Sequence, residues 1–253
     1  MALFPDTLTF DCADTLRVAT FWGGALGFGS DHDADDPDDG VLLVDSSTRT
    51  RGVYFSFQTV PEPKVVKNRV HLDLRPATTM AEEVARLGDL GATQIRYVAE
   101  GHGSWTVMGD PEGNEFCVLR ANGEGGKRDT RGLDSVVVDS GDWRRVADFW
   151  TAALGYRELE AGEDGVEIVG RDADPMLSFV RVPEPKTVKN RIHLDVRPSG
   201  SMAEEVDRVT TLGATVRGFI EEGGSFWTQM RDPEGNEFCV LRGPDDGWSP
   251  DEL

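Results

Sequence analysis

Residues Pro61–Pro76 read PEPKVVKNRVHLDLRP and residues Pro183–Pro198 read PEPKTVKNRIHLDVRP, the same at 13 of 16 positions. The stretch Asp110–Arg120, DPEGNEFCVLR, recurs unchanged as Asp232–Arg242. Both pairs are offset by 122 residues, as are Met80-Ala-Glu-Glu and Met202-Ala-Glu-Glu. Nearer the start, Phe21-Trp22 answers to Phe149-Trp150 at an offset of 128, and the six-residue change falls in a loop where the first copy carries the acidic stretch Ser30–Gly40. A period near 120 residues is too long for a solenoid repeat, so the chain reads as two domains in tandem. Residues 1–120 make the first, 121–132 (ANGEGGKRDTRG, rich in glycine and charge) a linker, 133–243 the second and 244–253 a polar tail.

Periodicity builds each copy. Thr7–Cys12 alternates polar and apolar residues, the period of a half-buried strand. Asp14 is placed to cap a helix running to about Leu26 and Asp142 the matching helix, with Trp22 and Trp150 on the apolar stripes. Strands near 41–45 and 52–58 follow, then the PEPK loop and a strand near 69–75. A second helix opens on Thr79-x-x-Glu82, repeated as Ser201-x-x-Glu204, the capping-box pattern. Gly91 and Gly213 end that helix, strands near 93–98, 103–108 and 114–120 close the copy, and Asp110-Pro-Glu-Gly-Asn114 turns the chain into the last of them. The order is βαβββ written twice per copy, an α+β class.

The 26 basic and 46 acidic residues leave a net charge of −20, whose field repels nucleic acid and anionic membranes, so neither is expected as a partner. No apolar run approaches the roughly 18 residues that span a bilayer. Met1–Phe10 has no basic start and no long apolar stretch, which predicts no secretory leader. Three cysteines, Cys12, Cys117 and Cys239, are too few and odd in number for a disulfide framework and favour the reducing cytoplasm. A small-molecule function survives these exclusions, in a chain expected to be an intramolecular pseudo-dimer and a monomer or homodimer in solution.

With its modules in place the chain resembles the glyoxalase-like branch of the vicinal oxygen chelate superfamily, which includes glyoxalase I, bleomycin-resistance proteins and extradiol dioxygenases. HLDLR opening the second module and DPEGNEFCVL closing it carry the resemblance, which covers about 1–120 and 133–243. It implies tandem glyoxalase-like domains whose βαβββ modules curl in pairs into an incomplete barrel around a cavity. In catalytic members the cavity holds a divalent metal, with one ligand from the first strand of each module and a Glu from the last strand. By that pattern His71 and His193 stand at the second-module position. Thr7 and Ser135 fall at the first-module position, where hydroxyls are poor ligands for Zn, Fe or Ni. Cys117 and Cys239 stand where the family's DPxGNxxE has its carboxylate. One of three ligands per copy is kept, so no metal cofactor is expected. Whether the modules sharing a cavity come from one copy or from both is open.

Strand alternation puts Glu115 with Cys117, His71 with Asp73, and Thr7 with Asp11 on common faces. A His–Cys–Glu or His–Cys–Asp set is therefore an alternative site for a divalent metal (Fe, Ni, Mn or Zn), with His71, Glu115, Cys117, His193, Glu237 and Cys239 as candidates. Against it, Cys117 and Cys239 read as inert buried strand residues, or as nucleophiles if His71 lies near enough to lower a thiol pKa. Asp73 either fixes the His71 tautomer or pairs locally with Arg75. Trp105 and Trp227, on late strands, are candidate stacking walls for a flat ligand, and Asp11, His71, Glu115, Asp139, His193 and Glu237 candidate polar contacts.

Other features carry less. His32 and His102 have no counterparts in the second copy and read as loop residues. Asp31-x-Asp33-x-Asp35 lacks the glycine and the terminal Glu of a calcium loop. The repeated clusters Lys64, Lys67, Arg69 and Lys186, Lys189, Arg191 either hold an anionic group at the cavity rim or balance charge on the crossover loop. The reading adopted is a small-molecule-binding, bleomycin-resistance-like protein sequestering a drug-like or metabolite ligand. The alternative is a metal-dependent lyase, isomerase or dioxygenase acting on a carbonyl or vicinal-oxygen substrate.

Overall fold

The computed structural model describes residues 3–27, 29–30, 41–44, 53–100, 103–121, 132–171 and 174–249. The acidic stretch 31–40, His32, His102 and nearly all of the proposed linker lie outside them. The first module contains β1 (Leu3–Cys12), α1 (Thr15–Leu26), β2 (Gly29–Ser30), β3 (Val41–Val44) and β4 (Tyr54–Thr59). The second contains β5 (Val70–Arg75), α2 (Met80–Asp89), β6 (Thr93–Glu100), β7 (Gly103–Gly109) and β8 (Glu115–Leu119). The third is β9 (Gly132–Ser140), α3 (Trp143–Leu154), β10 (Arg157–Ala161), β11 (Gly165–Val169) and β12 (Met176–Arg181). The fourth is β13 (Ile192–Pro198), α4 (Met202–Thr211), β14 (Thr215–Glu222), β15 (Ser225–Arg231) and β16 (Glu237–Leu241).

The modules pair across the two copies. One open eight-stranded sheet runs β14-β15-β16-β13-β1-β4-β3-β2 and the other β10-β11-β12-β9-β5-β8-β7-β6. Each sheet thus joins one module of each half. At the seams β1 lies antiparallel to β13 and β9 antiparallel to β5. Arg75 grips Asp134 in a bidentate pair at 2.7 and 3.1 Å, and Arg197 grips Asp6 at 2.6 and 3.1 Å, each link crossing between the halves. Arg75 is therefore spent on Asp134 and not on Asp73.

Alternation decides what each sheet face does. On β1, Leu8 and Phe10 are fully buried on the side of α1, where Phe10 lies 5.4 Å from Trp22. Trp22 also meets Phe55 of the same sheet at 6.2 Å and Phe116 of the other sheet at 5.3 Å, so α1 is packed between the two sheets. Its counterpart Trp150 meets Phe238 at 5.1 Å. The opposite face of each seam carries Thr7, Thr9 and Asp11, or Ser135, Val137 and Asp139, and with them the histidines. We call these helix-free faces the His193 cup and the His71 cup.

The Asp-Pro-Glu-Gly-Asn turn fastens this arrangement. The Asp110 carboxylate accepts from the backbone N–H of Glu112 and of Asn114 at 2.9 Å each, from the Asn114 side chain and from the Trp22 indole at 3.4 Å. Gly113 takes φ +80°, a left-handed value that a side chain would strain. Asp232 repeats these bonds with Glu234, Asn236 and Trp150.

Candidate functional site

Directly opposed residues of paired strands share a face. In the His71 cup, His71 faces Val137, Asp73 faces both Ser135 and Cys117, and Cys117 faces Val107. In the His193 cup, His193 faces Thr9, Asp195 faces Thr7 and Cys239, and Cys239 faces Gln229. The ligand atoms of His71, Asp73 and Cys117 lie within 4.8 Å of one another, as do those of His193, Asp195 and Cys239. His71 Nε2 stands 3.9 Å from Asp73 Oδ1, and His193 Nε2 stands 3.3 Å from Asp195 Oδ1. The Nδ1 atom of each ring is buried without a hydrogen-bond partner among the described residues, as is Asp73 Oδ1.

Burial governs the charges. Desolvation lowers His71 to about 4 and raises Asp73 to about 7, the Asp73 shift being opposed by a hydrogen bond from the Cys117 thiol. Asp195 is also raised by burial, but the nearby His193, the Thr9 hydroxyl at 2.8 Å and the Cys239 thiol and backbone N–H at 3.0 Å all hold it down. Burial and the adjacent carboxylates push the Cys117 and Cys239 thiols well above their ordinary value, so neither is an activated nucleophile in this state. Cys12, on the core side, is pushed up to about 12 by burial.

The other candidates are placed differently. Glu115 shares the cup face with Cys117, but its carboxylate accepts from Lys64 Nζ at 2.9 Å and from the Asn68 backbone N–H at 3.0 Å. Glu237 is held alike by Lys186 at 3.1 Å and the Asn190 N–H at 3.1 Å. These glutamates anchor the crossover loops and stand outside the His–Asp–Cys clusters. Asp11 is paired with Lys189 and Asp139 with Lys67, at the cup rims. Arg69 donates to the Glu184 carbonyl and Arg191 to the Glu62 carbonyl, each at 2.7 Å, so the basic clusters tie one half to the other. Trp105 and Trp227 are half-buried and share the cup faces with Cys117 and Cys239, facing Leu119 and Leu241. Asp73 and Asp195 complete the clusters, where the sequence left the third donor open between a Glu and an Asp. The His-x-Asp spacing was their signal, since alternation turns both side chains to one face.

The sequence model of the glyoxalase-like domain matches residues 7–119 and again 135–241. The chain belongs to the glyoxalase-like domain family. Among solved structures, glyoxalase I from Zea mays superposes with a TM-score of 0.70 at 17% identity, covering 96% of this chain and 94% of that one. A putative dioxygenase from Bacillus subtilis subsp. subtilis str. 168 superposes at 0.63 with 13% identity, covering 99% and 89%. At such identities the likeness is one of fold. No curated protein matches the sequence.

Glyoxalase-like folds such as glyoxalase I often use a divalent metal, and the donors allow a fit to be judged. At the positions inferred for the usual ligand set, Thr7 donates its hydroxyl to Asp6 at 2.8 Å and Ser135 is a buried hydroxyl facing Asp73, so that set does not fit a metal. The adjacent His–Asp–Cys clusters offer a different set, in which imidazole, carboxylate and thiolate are good donors for a zinc-class cation and an orphaned ring nitrogen awaits a partner. Without a cation, the His71 cluster places a carboxyl raised to about 7 beside an imidazole lowered to about 4, a pair able to give or take one proton near neutral pH.

Proposed function

We propose that this glyoxalase-like protein binds a small, flat, oxygen-bearing molecule in its cups without the family's usual metal arrangement. The observation that carries this reading is the cross-seam neighbour of each histidine. Val137 faces His71 and Thr9 faces His193, so the first strand of the opposing module brings no imidazole or free carboxylate to the floor. The aspartates on those strands, Asp139 and Asp11, are engaged by lysines at the rim. A ligand would lie against Trp105 or Trp227 and present a carbonyl or hydroxyl oxygen to the His–Asp pair at the floor.

The convergence of His, Asp and Cys favours a second reading, in which a zinc-class cation is held by that cluster and the chemistry is that of a lyase, isomerase or dioxygenase. Elemental analysis of untagged protein purified without chelators, repeated after dialysis against Fe, Ni, Mn and Zn, separates the two. The first reading expects no stoichiometric metal in either sample. Near-stoichiometric metal that disappears in a His71→Ala, His193→Ala double variant would overturn it in favour of the second.

A further inference from the structure

The two cups are built from nearly repeated sequence, yet they differ at three positions beside the floor histidine, the cysteine and the rim aspartate, each time in the same direction, whereas on the outer strands Glu167 and Arg96 stand in the His71 cup where Leu42 and Gly218 stand in the other. Opposite the floor histidine stands Thr9 in one cup and Val137 in the other. Opposite the cysteine stands Gln229 in one and Val107 in the other. Beside the rim aspartate, Gln58 pairs with Asp11 and Val180 with Asp139. Three hydrogen-bonding side chains line the His193 cup where three valines line the His71 cup. The floor carboxylates follow suit. Both Asp195 oxygens are occupied, one by the Thr9 hydroxyl and the other by the Cys239 N–H, whereas Asp73 Oδ1 has no hydrogen-bond partner among the described residues.

We propose that the cups are sites for different ligands. The His71 cup takes an uncharged aromatic molecule whose single hydrogen-bonding group reaches Asp73 Oδ1, and the His193 cup takes a molecule with several hydrogen-bonding groups. This rests on the cups being ligand sites, and three physical points carry it further. Valines at floor, wall and rim gain from desolvating an apolar ring and offer nothing to a hydroxyl-rich ligand. A buried carboxyl oxygen without a partner rewards the one donor that reaches it, because leaving it unpaired costs free energy. In the His193 cup the carboxylate is already satisfied, so selectivity falls to Gln229, Gln58 and the floor imidazole. Thr9, Val107, Val137 and Gln229 are then the residues that set specificity.

The probe is 2-naphthol, flat, uncharged and carrying one hydroxyl, measured by equilibrium dialysis against the full chain in EDTA. The wild type should bind one molecule per chain. Val107→Gln with Val137→Thr, which gives the His71 cup the other cup's side chains, should weaken that site at least tenfold. Thr9→Val with Gln229→Val should create a second site of comparable affinity. Unchanged affinity in the folded Val107→Gln, Val137→Thr protein would overturn the proposal. If that variant does not fold, the reciprocal pair decides, and absence of a second site overturns it. Two equal sites in the wild type would remove the difference between the cups while leaving both as binding sites. No binding by the wild type or the reciprocal variant would sink the proposal and the binding reading together.

Discussion

In the His71 cup burial reverses the ordinary order of protonation, with Asp73 raised to about 7 and His71 lowered to about 4. Between pH 4 and 6.5 the folded site holds its proton on the carboxyl, while an unfolded chain holds it on the imidazole. Each form binds one proton, so the pair adds almost no pH dependence to stability in that window. Single substitutions should unmask the opposed halves. In Asp73→Asn only the depressed imidazole remains, its contribution present above pH 6.5, and stability relative to wild type should fall as pH drops towards 4. In His71→Ala the raised carboxyl remains, and relative stability should rise as pH drops from 7 towards 4. The slopes should reach at most about 1.4 kcal/mol per pH unit. Urea unfolding of metal-free protein from pH 4 to 7.5 measures both, and profiles parallel to wild type would refute the exchanged proton. His71 and Cys117 were legible in sequence as cup residues because alternation assigns a face. That Asp73 and not Glu115 completes the cluster was not, because Lys64 and the Asn68 N–H claim Glu115 from a loop whose course periodicity does not describe.

At the scale of the element, two helices that look alike in sequence begin differently. At α2 the capping box is complete, Thr79 Oγ1 accepting from the Glu82 N–H at 3.3 Å and Glu82 accepting from the Thr79 N–H at 3.0 Å. At α4 the Ser201 side chain caps nothing, contrary to the capping box expected there. Asp246 Oδ2 instead accepts from the Met202 N–H at 2.7 Å and from the Gly243 N–H at 2.9 Å. The segment after β16 folds back to supply it, and Trp248 lies 4.1 Å from the Arg197 guanidinium. A distant residue has taken over a local role, which no window of sequence around Ser201 reveals. Thr79→Ala and Asp246→Ala should each cost about 1 kcal/mol, the worth of a cap, and Ser201→Ala close to nothing. Chemical denaturation of the three variants tests this, and a loss at Ser201 equal to that at Asp246 would contradict it. The elements themselves were readable, since strand alternation, the Asp14 and Asp142 caps and the Asp-Pro-Glu-Gly-Asn turn are local signals.

For the whole molecule, what sequence left open was partner choice among the modules. Strands β5 and β13 are nearly the same in sequence, so β1 has similar edges available in both, and only the folded chain distinguishes them. The choice of β13 makes both cups joint products of the two halves. The halves are held by two strand seams, by the buried Arg75–Asp134 and Arg197–Asp6 pairs, and by Arg69 and Arg191 reaching across to backbone carbonyls. The covalent connection through residues 122–131 then contributes chiefly effective concentration, because the strand pairings among the described residues hold both seams. A protease site inserted within 122–131 and cut after folding should leave the fragments together as one species on size exclusion. Breaking the ion pairs should change that result. Removing one partner of a buried pair strands the other charge and typically costs about 3–5 kcal/mol. Asp6→Ala with Asp134→Ala does so at both seams, so the cut double variant should separate into two fragments at micromolar concentration while its uncut form stays intact at the same concentration. Fragments that separate after cutting the wild type would mean that the seams are weaker than their pairing implies and that the linker holds the cups together.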